Sequence, residues 1–480
     1  MPSAIRAPEV RREAAPDGLE PAVGVRTAPR PRRRGEHRVG LLRRLAAARC
    51  RVAVVGAGYV GLAVATEAAR VGFLVTCVDV DGERVAALNA GRSPVDDVSD
   101  ETIAALRQQQ RLEASADFLA AAQAEVVVIC VPTPLTASKE PDLTAIRSAA
   151  AELAPRLRPG QLVVLESTTY PGTTEEVLRP ALEASGLRAG EDFWLAFSPE
   201  RVDPGNTAYT LRTTPKIVGG VDPASTEMAA AFYGRLVDRV VPVSSAAAAE
   251  MVKLYENVFR NINIAFANEM AQLCDRMGLN VWEVIEAAAT KPFGFMAFYP
   301  GPGVGGHCIP IDPHYLSWKA RQFDFEVRFV NLAADVNANM PHYLLSRVMR
   351  ALNERGRSLK GSVVLVLGVA YKPDVADTRE SPAYKLIPLL ERAGATVCYH
   401  DPYVPELAVR NGGGANGGEV RRLLSAPLSA GLLASCDCVV VLTDHRCLDY
   451  QAIAEGARLV VDARNALRHC REAAGTVVRL

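Results

Sequence analysis

A single thiol sits in the most unusual stretch of the chain, Gly301-Pro302-Gly303-Val304-Gly305-Gly306-His307-Cys308-Ile309-Pro310-Ile311-Asp312. Four glycines and two prolines strip bulk from this segment and restrict its backbone, so main chain can approach a ligand closely. Cys308 is followed four residues later by the carboxylate of Asp312. A thiolate is the side chain best suited to trapping an aldehyde, and a neighbouring charge or hydrogen bond tunes it. The alternative for any free cysteine is a small buried hydrophobe. The rest of the chain decides between the two.

A second set of polar groups lies on a segment that reads as one long helix, Glu250 to Met277. Lys253, Asn257 and Asn261 interrupt its apolar character at spacings of four, which puts them on one helix face. An exposed face would carry many charges. One lysine and two amides on an apolar helix point instead to a buried polar site, since unsatisfied groups there are costly. A polar seam at a subunit or domain interface is the other reading. A helix this long and apolar is also a natural dimerisation element.

The first half of the chain supplies a dinucleotide site. The apolar run Val52–Val55 leads into Gly56-Ala57-Gly58-Tyr59-Val60-Gly61, then a helical segment Leu62–Gly72, then a strand Leu74–Val78 ending in Asp79. Alone, the glycine pattern is weak. Between a strand and a helix, with an acid some twenty residues on, it reads as a dinucleotide turn. The glycines let a pyrophosphate rest on the helix N-terminus. Asp79 is expected to bond a ribose 2′-hydroxyl and to repel a 2′-phosphate, which favours NAD over NADP. Arg84, on the next helix, is a candidate to flank the adenosine, with an ordinary surface position as the other reading. Further strands at Val126–Val131, Leu162–Leu165 and Phe193–Phe197 end in Pro132-Thr133-Pro134, Glu166-Ser167-Thr168-Thr169 and Ser198-Pro199-Glu200-Arg201. Ligands bind at the carboxyl ends of strands in such sheets, so Thr133 and Thr168 are candidate cofactor contacts and Glu200 a carboxylate at the same edge.

The β–α alternation restarts after the long helix. Runs at Ser362–Gly368, Thr396–Asp401, Cys438–Leu442 and Leu459–Arg464 repeat the first plan without its full glycine fingerprint, which fits a nucleotide other than a dinucleotide. The expected architecture is α/β: two Rossmann-like doubly wound domains joined by a long central helix in an α-helical middle domain. The divisions fall at 1–48 (a disordered basic extension), 49–245, 246–345 and 346–480. At 480 residues several cores are expected.

Composition bounds the rest. Lys plus Arg equals Asp plus Glu at 54 each, so no global charge calls for nucleic acid or a membrane surface. Ten cysteines without paired CxxC spacing suggest reduced thiols in the cytoplasm and no metal site. No apolar run reaches membrane-spanning length, and no signal peptide is visible. The arginine- and proline-rich start, including Pro29-Arg30-Pro31-Arg32-Arg33-Arg34, reads as a solvated tail or an over-long start in preference to a nucleic-acid arm. The glycine-rich stretch at 412–418 reads as a surface insertion without chemistry.

In this order the motifs resemble the UDP-glucose/GDP-mannose dehydrogenase family, the UDP-sugar 6-dehydrogenases, from about Arg51 to about Leu467. The matching segments are Gly56–Gly61, Glu166–Thr174, Phe197–Asn206, Lys253 to Asn257, Lys291–Pro313, Gly368–Ser381 and Val461–Asn465. Lys291-Pro292-Phe293-Gly294-Phe295-Met296 with Gly306–Pro313 looks most like the UDP-N-acetylglucosamine 6-dehydrogenases. Ile311 departs from the lysine that UDP-glucose dehydrogenases typically carry before the aspartate. The resemblance implies four-electron oxidation at C6 of a UDP-N-acetylhexosamine, UDP-N-acetylglucosamine favoured, by NAD. UDP-N-acetylmannosamine and UDP-glucose are the alternatives. It further implies that Cys308 carries a thiohemiacetal and then a thioester, that Lys253 and Asn257 stabilise oxyanion charge, and that Asp312 positions water or handles protons. Glu200 would assist thioester hydrolysis, and Thr168 would share the catalytic set. Tyr299, Gly301, Gly303, Gly305, Tyr371, Lys372 and Arg464 match substrate-binding positions. Gly56, Gly58, Tyr59, Val60, Gly61 and Arg379 match cofactor contacts. A homodimer or dimer-based oligomer is implied. The rival readings are a single-step β-hydroxyacid dehydrogenase and a non-catalytic nucleotide-sugar-binding protein.

Overall fold

The computed structural model describes residues 31–95, 97–201, 208–306, 308–410, 420–471 and 477–480. The end of the Phe197–Asn206 motif, His307 and the glycine-rich insertion at 412–418 lie outside the described residues, as do residues 1–30.

The first sheet has eight strands: β1 (Arg51–Val55), β2 (Leu74–Val78), β3 (Leu112–Ser115), β4 (Val126–Ile129), β5 (Leu162–Leu165), β6 (Trp194–Phe197), β7 (Lys216–Gly220) and β8 (Val240–Pro242). Their order is β3-β2-β1-β4-β5-β6-β7-β8. All neighbours are parallel except β6 and β7. Near-continuous Val/Leu/Ile runs such as Val126–Ile129 are buried on both faces, as parallel strands covered by helices must be. The chain reverses direction across the sheet between β3 and β4 around β1. This is the crevice where a doubly wound sheet takes its ligand.

The second sheet runs β10-β9-β13-β14-β15, all parallel, from β9 (Val363–Leu367), β10 (Thr396–His400), β13 (Cys438–Val441), β14 (Val460–Asp462) and β15 (Val477–Arg479). A small antiparallel hairpin, β11 (Glu406–Arg410) with β12 (Val420–Leu424), hangs beside it.

Between the sheets stands a 32-residue helix, Ala246–Met277, four residues longer at its start than the polar pattern predicts. Ser245 explains the earlier start, because its side chain caps the helix by accepting the Ala248 N–H. Gly278, at φ +70°, closes the other end in a left-handed conformation. A second long helix, Arg328–Asn353, packs along it. Among the described residues, no helix is long and apolar enough to cross a membrane.

One sequence expectation fails. Residues 31–46 form a helix, and Leu41 and Leu45 are fully buried in the core of the first sheet lobe, so the basic extension does not remain unstructured to residue 48. The helix packs against Pro223–Leu236, with an Arg38–Glu227 ion pair. The spacing of Leu41 and Leu45 is the helical i, i+4 signal; the many arginines around it conceal a narrow apolar stripe.

Candidate active site

The long helix divides its residues by face. Ala249, Glu250, Lys253, Leu254, Asn261, Ala265, Asn268 and Ala271 are buried, while Met251, Tyr255, Phe259, Phe266, Leu273 and Met277 are exposed. Glu250 roots the buried face to the loop after β5. Its carboxylate accepts the Gly172 N–H at 2.6 Å, the Thr174 N–H at 2.8 Å and the Thr174 hydroxyl at 2.6 Å.

One turn further, Lys253 is 3% exposed and donates to the Glu200 carbonyl at 3.2 Å, with the Glu200 carboxylate 3.5 Å away. Burial works against its charge, but Cys308, Glu200 and Asp312 together raise its pKa above the ordinary lysine value. Lys253 is therefore a fixed cation in the cleft. Asn257 donates its amide to Asp312 Oδ2 at 2.5 Å, and Asn261 donates to the Ile309 carbonyl at 3.2 Å. The three polar residues read from their spacing thus meet the cysteine loop from one side.

Cys308 is partly exposed, and burial pushes its thiol up to about 11, opposed by Lys253 and by a side-chain hydrogen bond with Thr168. Asp312 is fully buried and starts the helix Asp312–Arg321. Its N–H donates to the Cys308 carbonyl at 2.9 Å, which closes a tight turn. Burial pushes its carboxyl up to about 6, with Lys253 and Asn257 pulling down. Asp312 Oδ1 is buried and accepts no hydrogen bond among the described residues. It is an open acceptor.

The glycines of the loop are required by close contacts. A Cβ on Gly305 would stand 2.7 Å from Tyr371 Cβ, and one on Gly306 3.0 Å from the Tyr371 ring. A Cβ on Gly301 would stand 2.8 Å from Arg464. Two amides that the sequence reading missed hold the loop's start. Gly301 donates its N–H to Asn268 Oδ1 at 2.8 Å, Asn268 donates to Asn337 Oδ1 at 2.9 Å, and Asn337 donates to the Asn261 carbonyl at 3.1 Å. Asn268 lies seven residues beyond Asn261, on the same helix face, so the four-residue spacing carried to the next turns could have found it. No sequence signal marks Asn337.

Between the two sheet lobes lies a cavity of about 510 Å³. Its wall includes Tyr59, Val60, Glu200, Lys253, Asn257, Tyr299, Gly301, Gly303, Gly305, Cys308, Tyr371, Lys372, Arg379 and Arg464. Arg201, Glu256 and Arg260 also line it, unforeseen in the sequence. Tyr299 stacks on Trp282 with ring centroids 5.8 Å apart. Arg464 donates from Nε to the Leu442 carbonyl at 3.0 Å. Arg379 is forked onto Asp377 and lies 5.2 Å from the centre of the Tyr59 ring, so it reaches from the second lobe to the glycine turn.

The glycine turn fits a dinucleotide. Gly56 has φ +97°, and a Cβ there would stand 2.5 Å from the Cys130 carbonyl oxygen; one on Gly61 would stand 1.8 Å from the Gly56 oxygen. At Gly58 only Arg84, at 3.9 Å, comes near, so backbone is open at the start of the helix Tyr59–Arg70. Asp79 is buried and accepts the Ala57 N–H at 2.7 Å and the Asp81 N–H at 2.9 Å, so the expected ribose acid also braces the turn. Arg84 Nη1 lies 3.8 Å from Asp79. Thr168 is buried next to Cys308. Thr133 is buried too, its carbonyl accepting the Tyr315 hydroxyl at 3.0 Å, and it is not part of the cavity wall.

Residues 50–237 match the NAD binding domain of the UDP-glucose/GDP-mannose dehydrogenase family, 247–339 its central domain and 365–469 its UDP binding domain. The chain is 34% identical over 436 residues to a UDP-N-acetyl-D-mannosamine dehydrogenase of Methanococcus maripaludis, covering 87% of this chain and 93% of that protein. It is 35% identical over 360 residues to a UDP-N-acetyl-D-glucosamine 6-dehydrogenase of Pseudomonas aeruginosa, covering 74% and 83%. The solved structure of a UDP-D-ManNAc dehydrogenase from Pyrococcus horikoshii superposes with a TM-score of 0.80 at 32% identity, over 89% of this chain and 98% of that one. With the glycine turn, the buried lysine and the cysteine loop opening on one cleft, the chain belongs to the UDP-glucose/GDP-mannose dehydrogenase family and is an NAD-dependent UDP-sugar dehydrogenase.

Proposed function

We propose that the protein oxidises the C6 hydroxyl of a UDP-N-acetylhexosamine to the carboxylate in two steps through a covalent bond to Cys308. The observation that carries this reading is the convergence of Cys308, Lys253, Asn257 and Glu200 on one cavity between the two lobes. NAD, bound on the glycine turn Gly56–Gly61, supplies the hydride acceptor for each oxidation.

Lys253 and Asn257 present a cation and an amide donor to the C6 oxygen, where negative charge develops as the hydroxyl gives up its proton. Asp312, with its carboxyl near 6, is a base at neutral pH and takes that proton through water. The resulting aldehyde is attacked by the Cys308 sulfur. A C–S bond forms, and the thiol proton leaves while the former carbonyl oxygen is protonated, giving a thiohemiacetal. Thr168 and Lys253 favour the thiolate that this step needs against the penalty of burial. The second oxidation leaves a thioester. Water then adds to the acyl carbon with Glu200 as its base, the C–S bond breaks, and sulfur recovers a proton as the uronic acid departs.

Arg464, Tyr299, Tyr371 and Lys372, with the bare backbone of Gly301, Gly303 and Gly305, are assigned to the UDP-sugar. Tyr59, Val60, Asp79, Arg84, Thr133 and Arg379 are assigned to the cofactor. Ile311 is buried in an apolar cluster and brings no cation to the cleft, which supports an N-acetylhexosamine over glucose. Similar proteins are named for both N-acetylmannosamine and N-acetylglucosamine. The exposed stripe Met251, Tyr255, Phe259, Phe266, Leu273 and Met277 is assigned to a second copy of the chain. Ten free thiols suit a reducing cytoplasm.

The test is incubation with NAD and, separately, UDP-N-acetylglucosamine, UDP-N-acetylmannosamine and UDP-glucose. Two NADH per N-acetylhexosamine consumed are expected. One NADH per sugar, or preference for UDP-glucose, would overturn the proposal.

A further inference from the structure

The two sheet lobes carry equivalent acids at the end of their second strands, and they are used differently. Asp79 accepts two backbone N–H groups, from Ala57 and Asp81. Asp401, just after β10, accepts five donors. Oδ2 takes the N–H of Val369 at 2.7 Å, of Ala370 at 3.0 Å and His445 Nε2 at 3.0 Å; Oδ1 takes the N–H of Tyr403 at 2.8 Å and of Val404 at 3.0 Å. A carboxylate offers about four lone-pair sites, so none remains for a ribose diol. The second lobe has spent its ribose acid on its own backbone.

His445 is the group that completes this saturation, and it is fully buried. Its Nδ1 accepts the Asp374 N–H at 3.0 Å. The ring proton therefore sits on Nε2, directed at Asp401. One imidazole thus ties together both ends of a short strap: its start at Val369–Ala370, through Asp401, and its crest at Asp374. The crest needs holding. Asp374 has φ +61°, a left-handed conformation unfavourable for a residue with a Cβ, and its side chain is caught by the Arg446 N–H at 2.9 Å and the Arg446 guanidinium. Between the two tied points lie Tyr371, Lys372 and Pro373, all on the cavity wall. Tyr371 in turn packs against Gly305 and Gly306, which lead to Cys308.

We infer that His445 is a positioning residue for the nucleotide-sugar side of the cleft, its two ring nitrogens holding the Tyr371–Pro373 strap against the cysteine loop. It touches neither substrate nor cofactor. The inference rests on the proposed use of this cleft for a UDP-sugar.

Two substitutions separate the two nitrogens. Asn places its Oδ1 near the position of Nδ1 and keeps the acceptor for the Asp374 N–H; Gln places its Nε2 near that of the imidazole and keeps the donor to Asp401 while losing the acceptor. UDP and NAD binding would be measured by titration calorimetry on the full chain, with the melting temperature of each variant. His445→Gln is expected to weaken UDP binding about tenfold, the scale of one lost hydrogen bond at a half-buried donor, and to leave NAD affinity unchanged. His445→Asn loses only the donor to Asp401, which keeps its four backbone N–H partners, and is expected to weaken UDP binding less, by about threefold. Equal UDP affinity in the parent and His445→Gln would overturn the inference, as would parallel loss of UDP and NAD binding with a collapsed melting temperature. Failure of the parent itself to bind UDP would instead overturn the reading of the cleft.

Discussion

Asn268 Oδ1 accepts the Gly301 N–H at 2.8 Å, so a buried helix amide fixes the first residue of the loop that ends in Cys308. Because Asn268 also donates to Asn337, which donates to the Asn261 carbonyl, the start of the loop is tied to the same helix face that carries Lys253. Removing Asn268 by alanine leaves the Gly301 N–H unpaired in a buried place, at a cost of about 1–3 kcal/mol. The expected outcome is a KM for the UDP-sugar raised about tenfold or more, with NAD affinity intact. Steady-state kinetics varying each substrate separately checks it.

Lys253 is the fixed cation of the cleft. Lys253→Ala should lower kcat by about 10²–10³-fold, the loss typical of one preorganised oxyanion donor. Retained NAD and UDP binding, measured by calorimetry, would show that the cleft is otherwise intact. A variant as active as the parent would remove Lys253 from the chemistry.

Two buried carboxyls set opposite pH dependences for rate and stability. Burial pushes Asp312 up to about 6 and Glu250 up to about 7. As a base, Asp312 works when ionised, so kcat/KM should rise with pH through about 6. Stability runs the other way. In the unfolded chain both groups ionise at lower pH, so their contribution is full in acid and is lost as pH rises through about 6 and 7. The melting temperature should therefore fall from about pH 4 to about pH 7 and level off above that. Asp312→Asn should flatten that slope and remove the acid limb of the rate profile; scanning calorimetry and pH–rate measurements read both.

The dinucleotide turn has no room for a side chain at Gly61. A Cβ there meets the Gly56 oxygen at 1.8 Å, so Gly61→Ala must displace the backbone that receives the pyrophosphate. NAD affinity is expected to fall by at least about tenfold while UDP still binds to the other lobe. Fluorescence or calorimetric titration with each nucleotide separates the two.

The exposed stripe of the long helix predicts the assembly. Phe259→Asp places a charge in the middle of that stripe, and sedimentation should then show monomer where the parent sediments as a dimer or larger.

Much of this site is readable in the sequence because it depends on unusual residue types at fixed spacing. The glycines around Cys308 and in Gly56–Gly61 are there because backbone approaches backbone, and Lys253, Asn257 and Asn261 share a face because a helix repeats near four. Asn337 reaches Asn261 and Asn268, and Arg260 reaches the cavity, only through packing between distant elements, and nothing local marks either. His445 and Asp401 are likewise 44 residues apart and meet across the second sheet. The helix at residues 31–46 was hidden for another reason. Its arginines dominate the composition, yet Leu41 and Leu45 decide its fate by filling the core.

The central claim is that the sugar is held by the sulfur of Cys308 between its two oxidations. It is tested most directly by quenching a turning-over Glu200→Gln variant in acid and weighing the peptide that carries Cys308. Slow hydrolysis in that variant should leave the UDP-uronyl group on this peptide as a thioester. An unmodified Cys308 during turnover that still releases two NADH and a uronic acid would contradict the account.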